Sequence, residues 1–151
     1  MAIAPNTTFT SGQILTAAQQ NAFGFSTMQL QTKTTSDSPI TTIATQITLS
    51  NFTAIANRNY KITYVEPVLF CSSGLGEATM TIKNGATTIA ESIAAVSTSV
   101  SGQGCQIFIT TFTAGTVSLT ASLTYGGVGS LTASRSATRQ AFLLVEDIGP
   151  A

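Results

Sequence analysis

The 151-residue sequence has no histidine and no tryptophan, only two cysteines, and just six acidic and six basic residues. Each shortage excludes something. Without an imidazole, neither a Ser-His-Asp nor a Cys-His arrangement can be assembled, because the nucleophile has no base. Cys71 and Cys105, with no histidine to join them, cannot complete an ordinary zinc site. Their apolar contexts predict buried free thiols, with a disulfide left open. The cations Lys33, Arg58, Lys61, Lys83, Arg135 and Arg139 are scattered, so no basic footprint for nucleic acid forms. No apolar run approaches the roughly 18–20 residues of a membrane span. The opening Met1-Ala2-Ile3-Ala4-Pro5 lacks the basic segment and long apolar stretch of a secretory signal. Neither nucleic acid nor membrane is an expected partner, and no cofactor or metal is expected.

What the chain has is hydroxyls. Its 43 Ser and Thr residues mostly alternate with apolar ones, as in Val117-Ser118-Leu119-Thr120-Ala121-Ser122-Leu123-Thr124-Tyr125. That is the period of a strand whose outer face is wetted by hydroxyls instead of charges. Similar runs recur along the chain. Met28 to Gln31 alternates before a breaker cluster at Thr35 to Pro39. Ile40 to Leu49 offers Ile43, Ile47 and Leu49 as core positions. After a turn at Asn57-Arg58-Asn59, the residues Tyr60, Ile62 and Tyr64 share one strand face, and Pro67 interrupts it. Asn84-Gly85 between two alternating runs predicts a type I′ hairpin over Ala78 to Ile89. Ile93–Val100, Cys105–Phe112 and Thr116–Tyr125 follow as strands, Ser130–Arg139 as a weak one. The apolar run Ala141 to Val145 reads as a central strand covered on both faces. About eight short strands with turns between them predict an all-β fold, an antiparallel β-sandwich of jelly-roll or tumour-necrosis-factor-like type. At 8% charged residues and zero net charge, its surface suits burial against copies of itself or against neighbours.

The first 25 residues read differently from the β-rich remainder, 26–151. Thr16-Ala17-Ala18-Gln19 has the form of a capping box, and Gly24 is placed to stop a helix of about two turns. So short a helix is not stable alone in water. Its apolar residues, Leu15, Ala18, Ala22 and Phe23, with Phe9 and Ile14 before them, must dock on something. Either they cap the chain's own β-domain, or they form an arm that attaches to a neighbouring subunit.

Little else carries chemistry. The acids Asp37, Glu66, Glu77, Glu91, Glu146 and Asp147 leave paired-carboxylate hydrolysis formally open, but their contexts predict solvated strand-end groups. Glu146-Asp147 reads as a terminating acidic pair meeting Arg135 or Arg139. Gly74-Leu75-Gly76 and Gly102-Gln103-Gly104 lack the helix and lysine of a phosphate cradle. No enzymatic activity is expected.

Three segments resemble a known group. Phe9-Thr10-Ser11-Gly12-Gln13-Ile14-Leu15-Thr16-Ala17-Ala18-Gln19-Gln20-Asn21 is similar to an opening found in minor virion proteins of tailed bacteriophages, where a "sGqvLTAaqxN" stretch precedes a β-rich module. Asn57 to Tyr64 resembles their "rrYrItY" strand, and Leu143 to Pro150 their last strand and tail. The resemblance implies a non-enzymatic structural protein on the exterior of the phage particle. It further implies a β-sandwich knob, commonly a homotrimer, anchored by its N-terminal arm on the tail or collar. An alternative is a capsid decoration (cement) protein that ties capsomers together. A third reading is a carbohydrate-binding module recognising a host surface glycan. Against it, only Tyr60, Tyr64 and Tyr125 could stack on a sugar, and strand-spaced tyrosines belong to cores.

Overall fold

A computed structural model describes residues 26–151; the segment 1–25, with the short helix and Phe9, Ile14, Leu15, Ala18, Ala22 and Phe23, lies outside the described residues. Ten strands follow in order: β1 (Ser26–Lys33), β2 (Asp37–Ile40), β3 (Ala44–Ala54), β4 (Arg58–Cys71), β5 (Leu75–Asn84), β6 (Thr87–Ser97), β7 (Gly102–Thr111), β8 (Gly115–Gly126), β9 (Leu131–Ala133) and β10 (Ala141–Pro150). All pairings are antiparallel. Along the first half of β4 one sheet runs β1-β10-β4-β7; along its second half β9 takes the place of β10, with β2 outside it. The other sheet runs β3-β8-β5-β6. Two four-stranded sheets so connected form the jelly-roll sandwich that the strand count predicts, with β2 and β9 as short additions.

Alternation explains which residues meet between the sheets. Arg58, Tyr60, Ile62, Tyr64 and Glu66 point inward from β4, while Val117, Leu119, Ala121, Leu123 and Tyr125 do so from β8. The three tyrosines are all buried, as core residues should be. At one end Phe52, Tyr60 and Phe112 pack as a triad with ring centroids 5.5–5.8 Å apart. The Tyr60 hydroxyl also accepts from the Ile55 N–H at 2.7 Å.

Several expectations change. Ile43 is exposed in the β2–β3 turn, and Ile40 takes the core position. The β5–β6 hairpin turns at Gly85-Ala86, since Asn84 still pairs with Thr87; only Gly85 has positive φ, the arrangement of a II′ turn. Strand β4 continues through Pro67 with a register shift against β7 between Glu66 and Leu69, so the missing N–H is absorbed by a bulge. Ser130–Arg139 contributes only the three-residue β9. The thiols are free, Cys71 buried but Cys105 exposed.

Tyr125 occupies a slot that only glycines leave open. A Cβ on Gly76 would lie 2.5 Å from its hydroxyl oxygen, and one on Gly127 would lie 2.6 Å away. Gly127→Ala should therefore displace the ring and cost about 1–3 kcal/mol in denaturant unfolding. An unchanged midpoint would show that the slot can yield.

Candidate assembly surfaces

Four of the six acids and four of the six cations form ion pairs with one another. Glu66 and the Arg135 side chain are both 0% exposed. Arg135 Nε and Nη2 donate to the two Glu66 oxygens at 2.9 and 2.8 Å, a bidentate contact. Nη2 also donates to Gln46 Oε1 at 2.7 Å, and Nη1 to the Thr35 carbonyl at 2.9 Å and Asp37 Oδ2 at 3.2 Å. The five guanidinium hydrogens thus have five acceptors. The Tyr64 hydroxyl donates to Glu66 Oε1 at 2.5 Å. Because Gln46 lies on β3 and Glu66 on β4, one guanidinium clamps the two sheets.

Glu66 is therefore not the solvated acid that its context predicts. Its phase shows why: it continues the inward series Tyr60, Ile62, Tyr64, so it must be buried and must find a cation. The same phase places Asp147 inward after Leu143 and Val145, where Arg58 Nε donates to it at 2.5 Å. Glu146, facing out, pairs with Lys61 at 2.7 Å. The expected partnership of Glu146-Asp147 with Arg135 or Arg139 gives way to these contacts. Glu77 and Glu91 are exposed, as expected of solvated acids. Among the described residues no group of three His, Cys, Asp or Glu side chains could hold a metal.

The clamp makes stability depend on pH at both extremes. Burial works to raise the Asp37 pKa, but hydrogen bonds and charge from Lys33 and Arg135 outweigh it and hold the carboxyl below its ordinary 3.8. Its contribution is present above that value and is lost as pH falls through the lower folded one. Burial, then the Glu66 carboxylate, pushes the Tyr64 phenol well above its ordinary 10.0. That contribution is complete below pH 10.0 and is lost as pH rises through the folded value. Melting temperature should decline above pH 10, and less steeply in Tyr64→Phe; equal slopes would remove Tyr64 from the account.

Three outer surfaces remain. The outer face of the β3-β8-β5-β6 sheet is a carpet of hydroxyls. Cross-strand rows run Thr45–Ser122–Thr81–Glu91, Thr48–Thr120–Lys83 and Thr124–Thr79–Ile93. Ser122 and Thr81, at the centre of the first row, are covered by their neighbours.

The outer face of the β1-β10-β4-β7 sheet is more apolar, with six large apolar side chains among threonines and one ion pair. One row reads Thr32, Phe142, Val65, Cys105, and the next Leu30, Leu144, Thr63, Ile107. In the third, Glu146 and Lys61 lead to Ile109. Ile107 and Ile109 are 58% and 60% exposed. The apolar run of β10 is central, as its sequence predicts, but only Ala141, Leu143 and Val145 reach the core. Phe142 and Leu144 point outward and are half-buried.

The third surface is one end of the sandwich. Leu75, Val100 and Val128 are 84%, 69% and 79% exposed, on or beside the β4–β5, β6–β7 and β8–β9 connections, every second one along the chain, which converge there. Hydrogen bonds fix them. Thr98 N–H donates to the Gly74 carbonyl at 3.2 Å, and Ser72 N–H to the Ser130 carbonyl at 2.9 Å. Val100 N–H donates to Ser97 Oγ at 2.9 Å, and the Tyr125 hydroxyl to the Val128 carbonyl at 3.2 Å. No charged residue lies in Ser72–Gly76, Ser97–Gly104 or Gly126–Ser130.

No protein-family model matches the chain, and no curated protein does. Among solved structures it is similar to the C-terminal CBM6 module of LamC, a marine laminarinase from Zobellia galactanivorans. Identity is 10% and the TM-score 0.37, over 77% of this chain and 99% of that one. Nothing about this chain's ligand follows from a likeness of that degree.

Proposed function

We propose that the chain is a non-enzymatic structural subunit of a tailed-phage particle. It would be a β-sandwich knob on the particle's exterior, associated with tail or collar and attached through its first 25 residues. The observation that supports a structural role best is the apolar outer face of the β1-β10-β4-β7 sheet. Six large apolar side chains lie there on four adjacent strands, opposite a sheet whose outer face is hydroxylated. A contiguous patch of this kind on a small domain is often a functional contact surface. The acids, meanwhile, are either engaged in ion pairs or sit singly on the surface. The phage context rests on the resemblance of Phe9 to Asn21, Asn57 to Tyr64 and Leu143 to Pro150.

Electron microscopy of purified particles with a label on this subunit tests the reading. A few copies at the tail or collar are expected; many copies over the head would replace it with the decoration role, and no label would remove both. Deleting Met1 to Gly24 should abolish incorporation while leaving the sandwich folded. Truncated protein that still incorporates would show that the arm is not the anchor. The loop end gives a separate expectation. Replacing Leu75, Val100 and Val128 together by serine should change stability by no more than about 0.5 kcal/mol per site, because the side chains are exposed. Incorporation into particles should fall if that end is also covered.

A further inference from the structure

We propose that the outer face of the β3-β8-β5-β6 sheet carries a binding site for a neutral oligosaccharide, centred on Thr81. The site goes beyond the structural reading above and does not depend on the phage context. An open groove of about 340 Å³ lies on this face, lined by Thr79, Thr81, Lys83, Thr88, Glu91 and Thr124 together with Ile43. That is the small end of ligand clefts, which span about 300–1,000 Å³. Strand alternation sends Thr79, Thr81 and Lys83 of β5 outward in turn. Pairing then sets Glu91 beside Thr81, Thr88 beside Lys83, and Thr124 beside Thr79.

The polar groups of this groove are unspent. Among the described residues, the side-chain hydrogen bonds made elsewhere on the sheet, by Gln46 and Ser118, involve none of the six polar lining residues. Thr81 is only 5% exposed, yet its hydroxyl has no partner there. Charge gives a second sign. The ion pairs leave over Lys83, Arg139, Glu77 and Glu91, and one of each sign lines this groove without bonding to the other. A groove with one cation and one anion does not select an ion, and a single cation is too little for nucleic acid. What it offers is a donor, an acceptor and four hydroxyls that do both. A ligand dense in hydroxyls matches that set, since each of its own groups also donates and accepts. The Glu91 carboxylate would accept from one sugar hydroxyl and the Lys83 ammonium donate to another, both charge-assisted bonds. Ile43, 54% exposed, supplies apolar contact for a ring face. The three tyrosines are buried and take no part, so one site should bind weakly, with a dissociation constant of about 1 mM.

A densely printed array of neutral oligosaccharides built from glucose, galactose, mannose and N-acetylglucosamine, probed with the full chain, tests this. Dense printing lets weak single-site binding register. At least one oligosaccharide should bind. Titrating it into isotope-labelled chain should shift the amide resonances of Thr79 to Lys83 and Thr88 to Glu91 first. Thr81→Val should weaken binding about fivefold without lowering the melting temperature, because the hydroxyl it removes supports nothing in the fold. Glu91→Gln should weaken binding about tenfold. If Thr81→Val does lower the melting temperature, Glu91→Gln decides alone, since its side chain is exposed. Binding to none of these oligosaccharides overturns the inference. So does binding that shifts resonances only around Leu75 and the loop end, or binding that survives both substitutions.

Discussion

Arg135→Ala is expected to destabilise the sandwich by about 3–5 kcal/mol, because it strands a buried carboxylate. For a domain of this size that is a fall of roughly 10–15 °C in melting temperature. Glu66 would keep the Tyr64 hydroxyl as its one partner in the core, and Gln46 Oε1 would lose its donor. The loss is larger than a surface pair could give, since surface pairs contribute at most about 1 kcal/mol. Lys61→Ala supplies that comparison: its ammonium is partly exposed, and its loss should be small. Replacing Glu66 and Arg135 together by leucine should cost less than Arg135→Ala alone, as no charge is then left buried. Calorimetric melting of the three variants checks the order. If Arg135→Ala melted with the parent, the clamp would not hold the sheets together.

Tyr60→Ala should be nearly as damaging, costing about 3–5 kcal/mol. The ring is fully buried between Phe52 and Phe112, and both would face a cavity that a closed sandwich end cannot collapse to fill. Tyr60→Phe separates packing from polarity. It keeps the triad and leaves the Ile55 N–H without the hydroxyl, so about 1 kcal/mol should be lost. Denaturant midpoints for the pair measure the split. Equal losses would place the contribution in the hydrogen bond and not in the aromatic packing.

Much of this was legible in the chain, and the misses have physical reasons. Strict alternation identified the inward faces of β4 and β8, because period two leaves no choice once one face is apolar. It also predicted the hydroxylated outer face of β8, which Thr120, Ser122 and Thr124 extend across its neighbours. Glu66 and Asp147 were readable from the same phase, as they continue apolar inward series. Their bland local contexts hid that. Arg135 was not readable: it sits 69 residues from Glu66 beyond a three-residue strand, with no period of its own. In Ala141 to Val145 every residue is apolar, so the sequence cannot say which half faces the core. That ambiguity concealed the outward Phe142 and Leu144, and with them the candidate surface. Ile43 and Ile40 exchanged roles because the β2–β3 turn falls between them.

The central claim is that this outer face functions by being covered. Cys105 reports on it directly, being the exposed thiol in its first row while Cys71 is buried. The decisive measurement is the alkylation rate of Cys105 in intact particles against that in the isolated chain, read by peptide mass spectrometry. Slow modification in particles and fast modification in the isolated chain is the predicted result. Equal, fast rates in both would mean that nothing covers the face in the particle, and would contradict the account.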